Sequence, residues 1–460
     1  MSRRKQTDDK ADTPLDAAPI NASLVGDERF KTLAEDLRAA WTEAGRPSSI
    51  LLAVSGGGDS MALLAAATRT FSADVALSVA TVDHGLRKEA AREAAQVAAT
   101  ATRLGLPHTT LTWSGDKPST GLQAAARAAR YRLLAEEAAG RGGAAVFTAH
   151  TGDDVAENLL MRLARGGGAR SLAAMPTLRW IASGANAAVM LARPFLSRSR
   201  TDLRQAAAAA GLSVIDDPSN EDPAFERVRV RAFLKTPTSE ALGLTPARLA
   251  ASAAQLQNDA QLLDAAERNR FAALGCVFTH WGGVIVNCDR ALSQKSDLAA
   301  SDAGLFARIM RAVGGGDHRP NLDAADAALK TALNGGKASL AGAILQRHGQ
   351  KLIAYREPAA LLGRAGVPPF QPVTLAAGAQ VLFDGRFIVS NDVERPLSLK
   401  PFGMSGNGGP ALFAGPGDAE KSAPALFDGD KLVASPVLGP SRAFRSLVLE
   451  RFDERTVRFL

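Results

Sequence analysis

Residues 48–63 read SSILLAVSGGGDSMAL. The apolar run 50–54 has the length and side chains of a buried strand, and it ends abruptly at Ser55. Gly56, Gly57 and Gly58 follow, then the carboxylate of Asp59, the hydroxyl of Ser60 and a periodic apolar stretch that predicts a helix over 60–70. At a strand-to-helix junction, glycines let the backbone turn tightly and bring its N–H groups up to an anion, while the helix N-terminus adds partial positive charge. Ser55 and Ser60 offer hydroxyls to phosphate oxygens. Asp59 would repel a phosphate unless a cation sat between them, and a Mg2+ held by Asp59 and phosphate oxygens resolves that conflict. The plainer alternative is a glycine turn in which Asp59 and Ser60 only cap the helix. No Lys follows the glycines, so this is not the Walker A pattern G-x-x-x-x-G-K-[ST].

Outward from this stretch, short apolar runs at 50–54, 75–82, 108–113 and 144–149 alternate with helical-period stretches at 29–44, 60–70, 88–104, 122–139 and 155–165. Strands alternating with helices in this way mean βαβ units. The expected fold class is α/β, with a doubly wound, Rossmann-like parallel sheet in the N-terminal domain. Ligands in such sheets bind beyond the carboxyl ends of the strands, and the chemistry-bearing residues gather there. Asp83 and His84 close the second run. His150, Asp153, Asp154 and Glu157 follow the fourth, either as ordinary acidic partners of a helix N-terminus or, with Asp154 meeting Asp59 across the sheet, as the other half of a Mg2+ site. Arg127, Arg130 and Tyr131 share a helix face, which is either solvated or turned to phosphate. Asp216, Asp217, Ser219 and Asn220 make a polar turn. Arg227, Arg229 and Arg231 then alternate with valines, as the wet side of an element or as a phosphate clamp.

A chain of 460 residues has room for about two to four domains. Its net charge of +7 permits a polyanionic partner without requiring one. With only 2 Tyr, stacking of aromatics on bases is not its main binding device. Cys276 and Cys288 form no C-x-x-C pair and read as structural thiols in a reducing, cytoplasmic setting. No apolar run approaches the roughly 18 residues that would span a bilayer, so no membrane partner is expected. Residues 1–24 have basic residues but no apolar core, and read as a disordered tail rather than a secretory signal. The α/β domain that carries the glycine loop is expected over 25–235. A helical or mixed domain over 236–362 opens on a long helix at 245–275 with Thr245 as N-cap and Pro246 at its first position. A linker begins at 363, and a small β-rich module occupies 373–460. There LFDG recurs at 382–385 and 426–429 as related turns, and 401–424 reads as a mobile loop.

The motifs SGGGDS (55–60), VDHGLR (82–87), GLQAAARAARY (121–131), TAHTGDDVAEN (148–158), RGGGARSLAAM (165–175), RPFL (193–196) and DDPSN (216–220) resemble, in this order, those of the tRNA(Ile)-lysidine synthases, a family of PP-loop ATP pyrophosphatases. The resemblance covers about 49–235, and the rest fits loosely as extra tRNA-binding domains. It implies a ligase using ATP and Mg2+. The wobble cytidine of a tRNA(Ile) with a CAU anticodon is adenylated at O2, pyrophosphate leaves, and free L-lysine attacks C2 to give lysidine as AMP departs. It also implies that Ser55, Gly56, Gly57, Gly58, Asp59 and Ser60 bind ATP, that Asp59 and Asp154 hold Mg2+, and that His150 joins them in catalysis. Arg127, Arg130, Arg193, Arg227, Arg229 and Arg231 are then the candidate tRNA or substrate contacts. A homodimer is one of the assemblies left open. The family usually reads Arg-Asn-Arg where this chain has Arg227, Val228 and Arg229, so one substrate contact is in question. Two alternatives stand beside this. A different PP-loop tRNA-modifying adenylase is one, although a thiolase would be expected to carry catalytic cysteines and 49–235 has none. A catalytically inactive tRNA-binding protein is the other, against which Asp59 and Asp154 argue.

Overall fold

The computed structural model describes residues 28–453 apart from 72–74, 86–88, 116, 119–120, 143, 184–186, 216–221, 288–301, 317, 365, 367 and 405–415. The expected N-terminal tail, the polar turn at 216–220, Cys288 and the middle of the 401–424 loop lie outside the described residues.

The first half of the chain runs α1 (Glu28–Glu43), β1 (Ser49–Ala53), α2 (Gly58–Thr70), β2 (Ala76–Asp83), α3 (Ala90–Arg103), β3 (His108–Thr112), α4 (Leu122–Gly140), β4 (Ala145–Phe147), α5 (Gly152–Leu163), α6 (Ala169–Leu172), β5 (Leu178–Ser183), β6 (Ala187–Ala192), α7 (Arg200–Ala209) and α8 (Glu226–Leu234). The strands form one sheet in the order β3-β2-β1-β4-β6-β5. Neighbours are parallel except the β5–β6 hairpin at the edge. Strand β1 is apolar from Ile50 to Ala53 because both its faces are covered. Ile50 and Leu52 pack with α1, α2 and α7, while Leu51 packs with α4 on the opposite side. Helix α2 is buried almost all round, Met61 to Ala67 being at most 1% exposed, and its alanines let it lie close to the sheet.

The hairpin was not expected from the sequence. The segment AAVMLA of β6 lacks the β-branched bias of a strand and reads equally well as helix. Pairing with β4 and β5 overrides that local ambiguity. The chain winds from β1 through β2 to β3 in one direction, and β4 and β6 lie on the other side of β1. The carboxyl ends of β1 and β4 therefore open onto one crevice, where the strand order reverses.

Beyond α8, α9 (Pro237–Ala241) leads into α10 (Pro246–Ala273), whose N-cap Thr245 accepts from the Arg248 N–H as the sequence predicts. Helix α10 packs Leu249 and Ala253 against Val155, Ala156 and Leu159 of α5. A five-stranded antiparallel sheet follows, built from β7 (Val277–Phe278), β8 (Val284–Asn287), β9 (Lys337–Leu340), β10 (Ala343–His348) and β11 (Lys351–Arg356), with α11 (Ala303–Gly314) and α12 (Leu322–Leu333) packed on it. The remainder is made of a four-stranded and a three-stranded sheet. Each LFDG ends a strand and starts a hairpin turn. At the first, three residues connect the paired Phe383 and Phe387, and Asp384 and Gly385 among them take positive φ, 50° and 64°. Among the described residues no helix is long and apolar enough to cross a membrane.

The two halves meet at an ionic cluster. Arg308 of α11 is fully buried and pairs with Asp264 (2.9 Å) and Glu267 (3.1 Å) of α10. Arg170 of α6 reaches the same two acids at 3.0 and 2.7 Å, and Arg319 reaches them at 3.0 and 3.2 Å. The Arg308 Nε donates to the Phe452 carbonyl, and its guanidinium lies over the Phe452 ring. Arginines from α6, from α11 and from the segment after α11 are thus tied to one pair of carboxylates on α10. Arg308→Met removes the buried charge and leaves the acids undercompensated. It should lower the stability of the first transition in urea unfolding followed by circular dichroism by about 3 kcal/mol. An unchanged midpoint would mean that the cluster does not hold the halves together.

Candidate active site

The glycine loop leaves β1 with Gly56 at φ +89°, in the left-handed region that favours glycine. A Cβ there would stand 2.4 Å from Ile215 Cδ1, and the Ile215 N–H donates to the Gly56 carbonyl (2.9 Å). Gly58 is pressed against α7, where a Cβ would meet Arg204 Cγ at 2.7 Å. The N-cap of α2 is Gly57, and no side chain caps the helix. The alternative in which Asp59 and Ser60 serve as caps is therefore not what forms. The helix presents its N-terminal N–H groups to the crevice instead. The Ser60 hydroxyl donates to the Gly57 carbonyl (2.9 Å) and accepts from the Ser55 N–H (3.1 Å), so it laces the loop together. Ser55 is exposed beside it.

Across the crevice, α5 begins with a capping box. Asp154 Oδ2 accepts from the Thr151 N–H (2.9 Å) and hydroxyl (3.0 Å). Its Oδ1 faces the other way and accepts from Arg200 Nη2 at 3.1 Å. Arg200, at the start of α7, also reaches Asp59 Oδ2 through Nε (3.4 Å) and Glu157 Oε1 through Nη1 (3.0 Å). Its backbone N–H donates to Asp153 Oδ2 (2.8 Å). Glu157 is only 1% exposed and takes two further arginines, Arg231 at 2.8 Å and Arg227 at 3.5 Å.

Sequence reasoning did not single out Arg200. It sits one residue after the capping serine of SRTD, behind the unrecognised strand β6. The strand-end rule would have found it had β6 been seen.

The two facing carboxyls differ. Burial pushes Asp59 up to about 6 against the opposing pull of Arg200, and its Oδ1 is buried without a partner. Burial also acts on Asp154, but Arg200 and the Thr151 hydrogen bond outweigh it and hold that carboxyl below its ordinary value. His150 is driven down by burial and stays neutral, and its Nδ1 lies 2.9 Å from the Thr148 hydroxyl. The guanidinium carbons of Arg127 and Arg130 lie 4.9 and 5.7 Å from the Tyr131 ring centre. Arg193 is buried and donates to the Pro176 carbonyl (2.8 Å). Burial raises the Tyr131 phenol, but Arg127, Arg130 and Arg193 together bring it below its usual value. The Nε atoms of Arg130 and Arg193 are buried with no protein partner.

The arginine-rich segment after the polar turn takes the helical form. It forms helix α8, so alternating residues do not share a face. Arg227 and Arg231 turn to Glu157, while Arg229 donates to the carbonyls of Pro223 (2.8 Å) and Ala224 (3.0 Å). The three do not form one clamp. Asp83 accepts from the Gly85 N–H (2.7 Å) and closes its own turn, and His84 stands edge-on to Trp113.

Among the described residues no three acidic, His or Cys side chains form a ready-made metal cage. Mg2+ does not need one, because it is commonly held by one or two carboxylates together with substrate phosphates. The unpartnered Oδ1 of Asp59 and the outward Oδ1 of Asp154 suit that kind of site.

Residues 28–237 match the model of a PP-loop domain. A tRNA(Ile)-lysidine synthase of Methylobacterium nodulans is 41% identical over 69% of this chain and 93% of its own length. Those of Ruegeria pomeroyi and Brucella melitensis are 36% and 33% identical, each over 88% of this chain and over 92% and 90% of their own lengths. The chain belongs to the tRNA(Ile)-lysidine synthase family. The lysidine synthase match extends beyond the glycine loop and the acidic helix α5 into the C-terminal sheets, which the motifs alone did not cover.

Two outcomes follow for this lysidine synthase site. Gly56→Val forces a β-branched residue into the left-handed region and against Ile215. It should weaken binding of a fluorescent ATP analogue and lower the melting temperature, whereas Gly57→Ala, whose Cβ meets nothing nearer than 3.8 Å, should disturb the fold less. For pH, the folded-state pKa of Asp59 lies above the ordinary 3.8, so folding favours its protonated form. That stabilisation is complete below 3.8 and is lost as pH rises through about 6. Asp59→Asn should flatten the melting-temperature profile across this window relative to the native chain. An unaltered profile would show that Asp59 is not perturbed.

Proposed function

We propose that this chain joins free L-lysine to C2 of the wobble cytidine of a tRNA(Ile) with a CAU anticodon, through a cytidine adenylated at O2, with release of pyrophosphate and AMP. The reading rests on membership of the lysidine synthase family. The observation that carries it to these residues is the pairing of an uncapped, glycine-built helix N-terminus with the carboxylates of Asp59 and Asp154 across one crevice.

The chemistry assigned to each residue follows from its surroundings. The loop from Ser55 to Ser60 receives the ATP phosphates on backbone N–H groups, with Ser55 as the exposed hydroxyl. Asp59 and Asp154 are the residues that would hold a Mg2+, which would supply neutralisation of phosphate charge. Arg127, Arg130 and Arg193 form the cationic wall, and the unpaired Nε atoms of the last two are donors for a phosphate of the nucleotide or the RNA. An imidazolium at His150 is disfavoured by burial and by Arg193 and Arg130. His150 therefore orients a donor through its neutral ring rather than storing a proton. Val228 is half-buried on α8 and brings no polar atom to the place of the family's Asn.

The test is a reaction with ATP, Mg2+, lysine and a tRNA(Ile) transcript bearing CAU, followed by mass spectrometry of the anticodon fragment. The expected product carries a gain of lysine minus water on the wobble cytidine. RNA-dependent pyrophosphate release without that gain would redirect the reading to another PP-loop adenylase, and the absence of both signals would leave a tRNA-binding protein. Asp59→Ala and Asp154→Ala should each abolish pyrophosphate release while tRNA binding persists, because backbone contacts elsewhere supply most of the affinity for RNA. Near-normal turnover in either variant removes that residue from the metal site.

A further inference from the structure

Arg200 has no role in the reading above, yet it occupies the centre of the site. Its guanidinium stands 3.1 Å from Asp154 Oδ1 and 3.4 Å from Asp59 Oδ2, the two carboxylates assigned to the metal. A divalent cation held there would compete with the guanidinium for Asp154 Oδ1, and beside Asp59 the two positive charges would repel one another. The metal enters only if Arg200 leaves.

The charge balance shows what drives the exchange. Asp59, Asp153, Asp154 and Glu157 are four acidic groups; Arg200, Arg227 and Arg231 form ion pairs with them, and Arg204 also acts on Asp59. Withdrawal of Arg200 takes one positive charge from this acidic group, and an entering cation restores it. Glu157 keeps Arg231 at 2.8 Å and Arg227 at 3.5 Å, so withdrawal does not strand it. The backbone of Arg200 stays anchored by the Ser199–Asp202 capping box and by its N–H bond to Asp153, and only the side chain has to swing. Its destination lies within reach. Asp59 stands in the first turn of α2, the same turn whose N–H groups face the phosphates, and Arg204, one helical turn along α7, already packs on Gly58 of the loop.

We propose that Arg200 is an exchangeable internal cation. It holds the Asp59–Asp154 seat closed to free metal in the absence of nucleotide, then transfers its guanidinium to the ATP phosphates as the metal enters with them. Arg200 thereby makes metal binding conditional on nucleotide and becomes a phosphate contact in the loaded state. The inference rests on the assignment of Asp59 and Asp154 to the metal.

The experiment is a Mn2+ titration of the full chain followed by electron paramagnetic resonance, with and without α,β-methylene-ATP. The native chain should bind Mn2+ weakly alone and much more tightly with the analogue. Arg200→Gln, which keeps length and a donor but loses the charge, should tighten nucleotide-free Mn2+ binding by about tenfold. It should also weaken binding of the analogue. Arg200→Lys keeps the charge without the fork that spans three carboxylates and should fall between the two. A gain of metal affinity is not an effect that misfolding produces, so the variant reports even if it is less stable. Unchanged nucleotide-free affinity in Arg200→Gln, with the analogue still tightening Mn2+ in the native chain, overturns the role of Arg200 and leaves the metal assignment standing. No Mn2+ binding by either protein under any condition overturns both.

Discussion

Glu157 is a carboxylate at 1% exposure, and taking such a charge out of water costs several kcal/mol unless it is fully partnered. Its partners are Arg200, Arg227 and Arg231, which arrive from α7 and α8. That one requirement brings three helices together at the carboxyl edge of the sheet. It fixes the start of α7 against α5, and α7 in turn lies along α2 and closes over the glycine loop through Arg204 and Gly58. The shape of the crevice is therefore set by the need to neutralise a buried charge, and the residues facing the nucleotide loop are held by the same contacts.

Within that frame, Asp59 and Asp154 are the same residue type on facing helix N-termini with opposite protonation tendencies. Asp154 has its Oδ2 filled by Thr151 and its Oδ1 by Arg200, and it is comfortable as an anion. Asp59 has one long contact to Arg200 and one oxygen with nothing. A buried anion with an unfilled oxygen is a poor state for folding and a good one for capturing a cation. The cost falls on a residue in the first turn of the helix that starts from the glycine loop.

A second junction of similar kind, Arg308 with Asp264 and Glu267, ties the catalytic half to the C-terminal sheets through Arg170. Arg170 sits in the segment RGGGARSL, directly after the helix that carries Asp154 and Glu157. Arg170, Asp264, Glu267 and Arg308 are each taken partly or wholly out of water.

The amino-acid order by itself determined the parallel βαβ core, the position of the glycine loop after the first strand, the acidic helix start after the fourth, the Thr245–Pro246 start of α10 and the paired LFDG turns. Each is a local pattern of period, cap or turn, and such patterns survive without knowledge of neighbours. Only the tertiary structure decided the rest. β6 became a strand because β4 and β5 paired with it, although its own residues are neutral between helix and strand. Arg229 stands apart from Arg227 and Arg231 because a helix, unlike a strand, sends alternate residues in different directions. Arg200 reached Asp59 across 141 positions of sequence, and charge pairing at that separation is written in no local pattern, because it depends on which helix ends the sheet brings into one crevice.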